Sequence, residues 1–246
     1  MSPLIIALTA FGIIFGAGVV GSLLPGHRLP EATKDVVRLG AGLLATIVGL
    51  VLGLMIASAS SSFDTQSNQV RQITSNVVLL DNLLNLFGPD AQKARTILRA
   101  SIPPFVEAVW RGGSQPTAAF KPSAASEALY FELEKLDAKD DTQKSIKSRV
   151  SSIYGDLLQT RVMLLQKAGG GIPTPFIAVI IIWLALIFFS YGLLVDHHQS
   201  VLVALFVVAA STSAALLLIL ELTHPFDGLL QIPNEPVLNA LAPLAK

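Results

Sequence analysis

The sequence has no cysteine and no excess of charge of either sign. Without cysteine, the 246-residue chain cannot form disulfides, thiolate metal sites or a cysteine nucleophile. Its 17 basic and 17 acidic residues balance, so no strongly basic surface for nucleic acid is expected. Phosphate-loop, zinc-protease and serine-hydrolase motifs are also missing. We therefore expect a protein that is not an enzyme and that has no cofactor, metal site or nucleic acid partner.

Formal charge is missing from four long stretches of the chain. They are residues 1–27, 39–63, 168–195 and 197–220. Each can supply the roughly 20 apolar residues that a helix needs to cross a hydrocarbon core of ~30 Å. None has an acidic, basic or histidine side chain at mid-span, which disfavours a proton-coupled carrier but leaves a carrier of neutral solutes open. The sequence predicts an all-α integral membrane protein with four transmembrane helices and a cytoplasmic helical insert between spans two and three.

The spans are arranged as two hairpins on either side of one long polar segment. We expect a first transmembrane hairpin at residues 1–58, a soluble helical stalk or vestibule domain at 59–172, a second hairpin at 173–221 and a C-terminal tail at 222–246. An even number of spans places both termini and the insert on one face of the membrane. Because long polar segments are easier to leave untranslocated, we expect that face to be cytoplasmic and the protein to be multi-pass in the cell (inner) membrane.

Two apolar stripes predict a helical stalk in the insert. The absence of proline and glycine after the second span predicts one continuous helix from about Asp35 to Phe87, and a second helix is expected from about Asp140 to Ala168. Apolar residues lie three or four apart on both helices, with polar Thr160 in one position of the second stripe. The stripes are Val70, Ile73, Val77, Leu80, Leu84 and Phe87 on the first helix, and Ile146, Val150, Ile153, Leu157 and Leu164 on the second. We expect the two helices to pack antiparallel, with a helix from Pro89 to Trp110 between them in sequence.

Small residues form a row along the second span. They are Gly42, Thr46, Gly49, Gly53, Ala57 and Ser60, and Asp64 continues the row. One interpretation is a packing seam, because small residues four apart let transmembrane helices approach closely. The other is that copies of this helix surround an axis and line a pore. In the first span, Gly12 and Gly16 with Gly18 and Gly21 favour close packing.

Polar residues cluster at two boundaries of the second hairpin. Asp196, His197 and His198 are interpreted as a solvated turn between spans three and four, with a metal-binding or pH-sensing site as the alternative. Glu221, His224 and Asp227 are interpreted as a membrane-boundary cluster, with a cation site as the alternative. The run Gly169–Gly171 predicts a hinge or re-entrant turn before the third span.

Five segments of the chain carry a resemblance to a known family. They are the sequence from Leu39 to Ala59, Ser62-Phe-Asp-Thr-Gln, Leu79-Leu-Asp, Phe87-Gly-Pro-Asp and the tail from Leu220 to Leu229. Together they resemble the bestrophin-like domain family of bacterial and plant membrane proteins. The resemblance covers nearly the whole chain. It implies kinship with bestrophins, which are pentameric anion channels whose second transmembrane helix lines the pore and continues towards a cytosolic helical domain.

Mapped onto this sequence, the resemblance identifies candidate residues on the second span. The pore-lining candidates are Thr46, Gly49, Gly53, Ala57, Ser60 and Asp64, and the gate candidate is Phe63. The sequence departs from bestrophins in lacking a bulky aromatic neck and a clear acidic calcium clasp after span four. Asp64 would form a negative ring in an oligomer and favour cations, or it would pair with Arg71 one heptad further on.

The sequence therefore predicts a homo-oligomeric ion channel with passive conduction through a pore lined by the second span. A pentamer is favoured by the resemblance and a tetramer is possible. The expected partners are the lipid bilayer, inorganic ions and further copies of the chain. The alternative is a non-conducting membrane scaffold or sensor whose helical insert recruits another protein.

Overall fold

The computed structural model describes residues 2–24, 30–110, 124–168, 172–195, 198–226 and 228–241. These residues form helices and contain no strand, which confirms the all-α class. The helices are α1 (Pro3–Leu23), α2 (Glu31–Phe87), α3 (Gln92–Trp110), α4 (Ala124–Glu134), α5 (Asp141–Ala168), α6 (Thr174–Leu193), α7 (Gln199–Leu222) and α8 (Glu235–Leu241). The predicted glycine hinge at 169–171, and Asp196, His197 and Asp227 of the two polar clusters, lie outside the described residues.

Four of the described helices, α1, α2, α6 and α7, are long and apolar enough to cross a membrane. Each of the four spans predicted from the charge-free stretches thus contains a helix of sufficient length and hydropathy. α2 extends for 57 residues, or about 85 Å at 1.5 Å per residue. It begins at Glu31, four residues before the expected start, because the carbonyl oxygen of Pro30 already accepts hydrogen bonds from the amides of Thr33 (2.9 Å) and Lys34 (3.1 Å).

The chain divides into two compact units, with one boundary inside α2. The first unit consists of Met1–Ser62 and Gly171–Thr223, and the second of Phe63–Gly170 and His224–Lys246. The C-terminal tail therefore belongs to the same unit as the polar insert. Each unit has its own apolar core.

The core of the first unit lies between α1, α6, α7 and one face of α2. Its buried members are Ala10, Ile14, Val48, Ile180, Leu184, Ile187, Phe188, Ala209 and Leu216. Across this core, the buried hydroxyl of Ser213 in α7 donates a hydrogen bond to the carbonyl oxygen of Ala7 in α1, at 2.5 Å. Such a bond satisfies a polar group that would be costly to leave unpaired in hydrocarbon.

Glycine lets α1 and α6 approach to backbone contact. A Cβ atom at Gly21 would meet the carbonyl oxygen of Phe189, and one at Gly192 would meet the backbone of α1. A Cβ at Gly12 or Gly16, by contrast, would meet no atom within 4 Å among the described residues. Among the described residues, the predicted packing role of glycine in the first span thus holds for Gly18 and Gly21 and is not seen at Gly12 and Gly16.

The core of the second unit confirms the predicted apolar stripes. All six stripe residues of α2 are buried in one cluster with Val150, Ile153 and Leu164 of α5. Gln143, in the first turn of α5, donates from Nε2 to the carbonyl oxygen of Phe87 at the end of α2 (3.2 Å). The end of α2 thus meets the beginning of α5, as expected for an antiparallel pair.

A buried carboxylate links α2 to α3 in the second unit. The Asp81 side chain is 1% exposed and accepts two hydrogen bonds from Arg95 (3.1 and 2.9 Å) and two from Arg99 (2.9 and 3.1 Å). Arg95 also donates to the side-chain oxygen of Asn85 at 2.6 Å. This group lies about five helical turns beyond the charge-free stretch of α2. Burial alone would raise the pKa of Asp81, but the hydrogen bonds from Arg99 and Arg95 outweigh it and hold the pKa below its ordinary value.

Candidate pore-lining face of α2

The first-unit part of α2 has one covered side and one open side. The covered side packs against the core through Val48 and, partly buried, Leu44, Ala45, Val51, Leu52 and Met55. The open side carries the row of small residues. Thr46, Gly49, Gly53, Ala57, Ser60 and Asp64 are all exposed. We call these six residues the small-residue face.

The glycines of the small-residue face have empty space beside them. A Cβ atom at Gly49 or Gly53 would find no atom within 4 Å among the described residues, whereas Gly21 of α1 touches the backbone of α6. A seam that packs α2 against its own protomer would show the tight contacts seen at Gly21. Among the described residues of one protomer, no helix packs tightly against these two glycines, so the packing seam considered from the sequence is not formed there.

A second exposed row, of bulky apolar residues, runs beside the small-residue face. Its members Leu39, Leu43, Leu50 and Leu54 are strongly exposed. At 100° per residue, the centre of this row lies about 70° around the helix from the centre of the small-residue face. One flank of α2 thus offers branched apolar side chains suited to hydrocarbon, and the other offers nearly bare backbone.

The polarity of the small-residue face comes from hydroxyl and backbone oxygens. The Thr46 hydroxyl donates to the carbonyl oxygen of Gly42 within the helix (3.0 Å). Its proton is thereby used, and its oxygen remains an acceptor on the exposed face. The face is weakly polar and uncharged as far as Ser60.

Asp64 adds a charge at the end of this face. Among the described residues, no basic group lies within 4 Å of its carboxylate, and Arg71 likewise has no acidic partner. The Asp64–Arg71 ion pair considered from the sequence is therefore not formed. Both side chains are exposed, so each presents its charge to the surroundings of α2.

Phe63, the gate candidate, lies on a different side of the helix. Its ring is partly buried and packs against the core of the second unit. At 100° per residue, Phe63 is rotated by 100° from Asp64, which lies on the small-residue face. The structure does not bring Phe63 together with the six pore-lining candidates.

The match to a family model covers nearly the whole length of the chain. The model for the bestrophin-like domain matches residues 7–237, which include all seven candidate residues of α2. The chain belongs to the bestrophin-like domain family. No curated protein and no solved structure matches it. Membership agrees with the four membrane-spanning helices and indicates a membrane protein related to ion channels.

Sequence reasoning missed two polar contacts of this bestrophin-like chain. The segment Leu79-Leu-Asp, which is part of the family resemblance, ends in Asp81. The sequence did not predict that Asp81 is buried between two arginines. Arg95 and Arg99 lie four residues apart and so share one face of α3. Asp81 directly follows Leu80 of the apolar stripe of α2, so these positions are the local signal for a buried ion pair. The contact between Trp110 and the tail joins residues 122 positions apart and has no local signal.

The part of this bestrophin-like chain that the structure describes shows no evident metal centre. Among the described residues, no group of three or more histidine, aspartate or glutamate side chains is placed to hold a metal ion. Glu221 of the predicted boundary cluster is buried at the end of α7. Because Asp227 lies outside the described residues, the cation-site alternative for that cluster stays a prediction.

Proposed function

We propose that this chain assembles into a homo-oligomeric ion channel whose pore is lined by the small-residue face of α2. The observation that carries the proposal is that, among the described residues of the protomer, this face is uncovered, while α1 packs closely against α6 and α7. Membership of the bestrophin-like family supports a channel over an enzyme. Further copies of the chain, five by analogy with bestrophins, would enclose the face around an axis.

Conduction in such a pore is passive and needs no enzymatic step. Selectivity would come from the width left by Gly49 and Gly53, from the Thr46 and Ser60 oxygens and from exposed backbone. Asp64 of each copy would contribute to a ring of negative charge, which favours cations over anions. We place both termini and the second unit in the cytoplasm and the spans in the cell (inner) membrane.

Liposome flux tests the proposal. Purified protein in vesicles is expected to conduct K⁺ or Cl⁻, with K⁺ preferred if the Asp64 ring acts. Gly53→Leu puts a branched side chain into the pore and should reduce flux by tenfold or more, a barrier increase of at least ~1.4 kcal/mol. Asp64→Ala should lower the preference for K⁺ with a smaller effect on total flux.

Gly16→Leu is the matched control for Gly53→Leu. Gly16 is also a glycine of a spanning helix with open space beside it, but it lies on α1. Its substitution should leave flux close to that of the wild type. Flux that neither Gly53→Leu nor Asp64→Ala changes would remove this face of α2 from the pore, and an absence of flux in the wild type would favour the scaffold or sensor.

A further inference from the structure

The tail makes a closed turn directly after the fourth span. We use the name tail turn for Pro225, Phe226 and residues 228–232. The amide of Ile232 donates to the carbonyl oxygen of Pro225 at 2.7 Å, so the two ends of the turn meet. Gly228 has a φ of 102°, a left-handed conformation that strains any residue with a side chain. Compact turns whose ends are joined in this way are often functional.

The base of the tail turn is fixed to the end of α3. Phe226 and Ile232 are buried in the core of the second unit. The Trp110 indole packs edge-on against the Phe226 ring, with centroids 5.6 Å apart. Its Nε1–H donates to the carbonyl oxygen of Ile232 at 2.8 Å. One tryptophan side chain therefore holds both ends of the turn.

The tip of the tail turn is apolar and exposed. The side chain of Leu229 is 72% exposed, and that of its neighbour Leu230 is 41% exposed. A single exposed leucine is common on protein surfaces. Two adjacent leucines at the tip of a turn whose base is buried are a more specific arrangement, because the anchored base holds them outward.

Chain length keeps this tip close to the membrane. α7 ends at Leu222, and Leu229 follows seven residues later, so it lies within about 25 Å of the helix end even if the segment is fully extended. Within the second unit, α3 runs antiparallel to α2, because Arg95 reaches both Asn85 and Asp81 while Arg99 reaches only Asp81. Trp110 follows Arg99 by 11 residues on α3, which is about 16 Å along the helix axis. Because α3 is antiparallel to α2, Trp110 lies towards the end of the second unit at which α2 begins, near Phe63.

The charge of the tail does not favour an electrostatic membrane anchor. Residues 222–246 contain one lysine, Lys246, and no arginine, and the acidic residues among them are Asp227 and Glu235. Basic residues would be needed to attract anionic headgroups. Attraction to the apolar boundary of a bilayer needs only exposed apolar side chains, which Leu229 and Leu230 provide.

We propose that Leu229 and Leu230 insert into the surface of the lipid bilayer and that Trp110 positions them. The partner is the boundary between headgroups and acyl chains, with no requirement for anionic lipid. This contact would tie the second unit to the membrane in addition to its covalent connections to the spans. The inference goes beyond the proposed function, because it holds whether or not the chain conducts ions.

Cysteine labelling tests the insertion, since the chain has no cysteine of its own. Leu229→Cys carries an environment-sensitive fluorophore in the full-length protein, reconstituted in phosphatidylcholine nanodiscs. Leu86→Cys is the matched control, because Leu86 is 70% exposed and lies in the last turn of α2, far along the helix from Phe63. The fluorophore at 229 should emit at a shorter wavelength than the fluorophore at 86 and should be quenched by brominated lipid. It should be protected from quenching by iodide in the aqueous phase. The label at 86 should be quenched by iodide and unaffected by brominated lipid.

Two results would overturn insertion. Iodide quenching at 229 equal to that at 86 would place the tip in water. Protection from iodide without quenching by brominated lipid would place it against protein, such as a second copy of the chain. A strong dependence of the bromine quenching on anionic lipid or on salt would contradict the apolar basis of the contact.

The positioning role of Trp110 is tested in the same labelled protein. Trp110→Ala should lower bromine quenching at 229, and Trp110→Phe, which keeps a ring but loses the N–H donor, should lower it less. A helical circular dichroism spectrum in both variants would show that the protein remains folded. The loss of bromine quenching would then report release of the tail turn. Unchanged quenching in folded Trp110→Ala protein would show that the tip reaches the membrane without this side chain.

Discussion

Gly21→Ala and Gly192→Ala are each expected to destabilise the protein by about 2–3 kcal/mol, although each adds a single methyl group. At Gly21 the new Cβ would meet the carbonyl oxygen of Phe189, with the Leu193 amide nitrogen 3.0 Å away. At Gly192 it would meet the backbone of α1, with the amide nitrogen of Ser22 at 3.0 Å. Backbone atoms cannot rotate aside, so α1 and α6 must separate and lose the packing between them. Thermal unfolding in detergent, followed by circular dichroism, should show a Tm lower by roughly 5–10 °C.

Gly16→Ala is the control for this prediction. Gly16 lies on the same helix as Gly21, but a Cβ there meets no atom within 4 Å among the described residues. Alanine has the higher helix propensity, so this variant should be unchanged or more stable by up to ~1 kcal/mol. A Tm loss in Gly16→Ala as large as in Gly21→Ala would contradict backbone contact as the cause.

The sequence predicts those parts of this fold whose signal is local and periodic. The six apolar positions from Val70 to Phe87 are one example, because a residue every three or four positions identifies the buried face whichever helix covers it. The spans are another, since hydrocarbon requires about 20 apolar residues in a row. Helix ends at proline or glycine, such as the end of α2 before Gly88, follow from backbone chemistry.

The sequence does not show what lies against a given small residue. Gly16, Gly21 and Gly53 have the same side chain and similar apolar neighbours in sequence, yet only Gly21 touches another backbone. The difference arises from where α6 crosses α1, which depends on the packing of the whole first unit. For the same reason the sequence could not show whether the small-residue face of α2 packs against another helix of its own protomer.

Long-range polar contacts are also beyond local patterns. Trp110 and Ile232 are joined by a hydrogen bond across 122 positions, and no periodicity connects them. The tail segment from Leu220 to Leu229 is part of the resemblance to bestrophin-like proteins, but its sequence does not indicate a docking partner. In the structure, Phe226 and Gly228 of that segment fix the anchor and the bend of the tail turn.

Asp81→Asn is expected to destabilise the second unit by about 2–4 kcal/mol, because it removes a buried negative charge from between two arginines. The carboxylate accepts four hydrogen bonds from Arg95 and Arg99, and an asparagine amide would turn an N–H donor towards one of these cations. The arginines are partly exposed, so water can solvate their charges when the carboxylate is lost. The expected loss of stability is therefore smaller than for a fully buried ion pair. Asp64→Asn, at an exposed position of the same helix without an ion pair among the described residues, should change stability by less than ~0.5 kcal/mol.

The pH dependence of unfolding gives Asp81→Asn a second readout. The pKa of Asp81 is lowered in the folded protein, so the unfolded state binds the proton more tightly. The stability that Asp81 contributes is therefore complete above the ordinary aspartate pKa of about 3.9 and is lost as the pH falls below it towards the folded pKa. The Tm difference between wild type and Asp81→Asn should be constant from about pH 5 to neutral pH, within about one degree, and should shrink below about pH 4. A difference that stays constant down to about pH 2.5 would mean that the substituted amide disturbs packing and that the charge of Asp81 is not the cause.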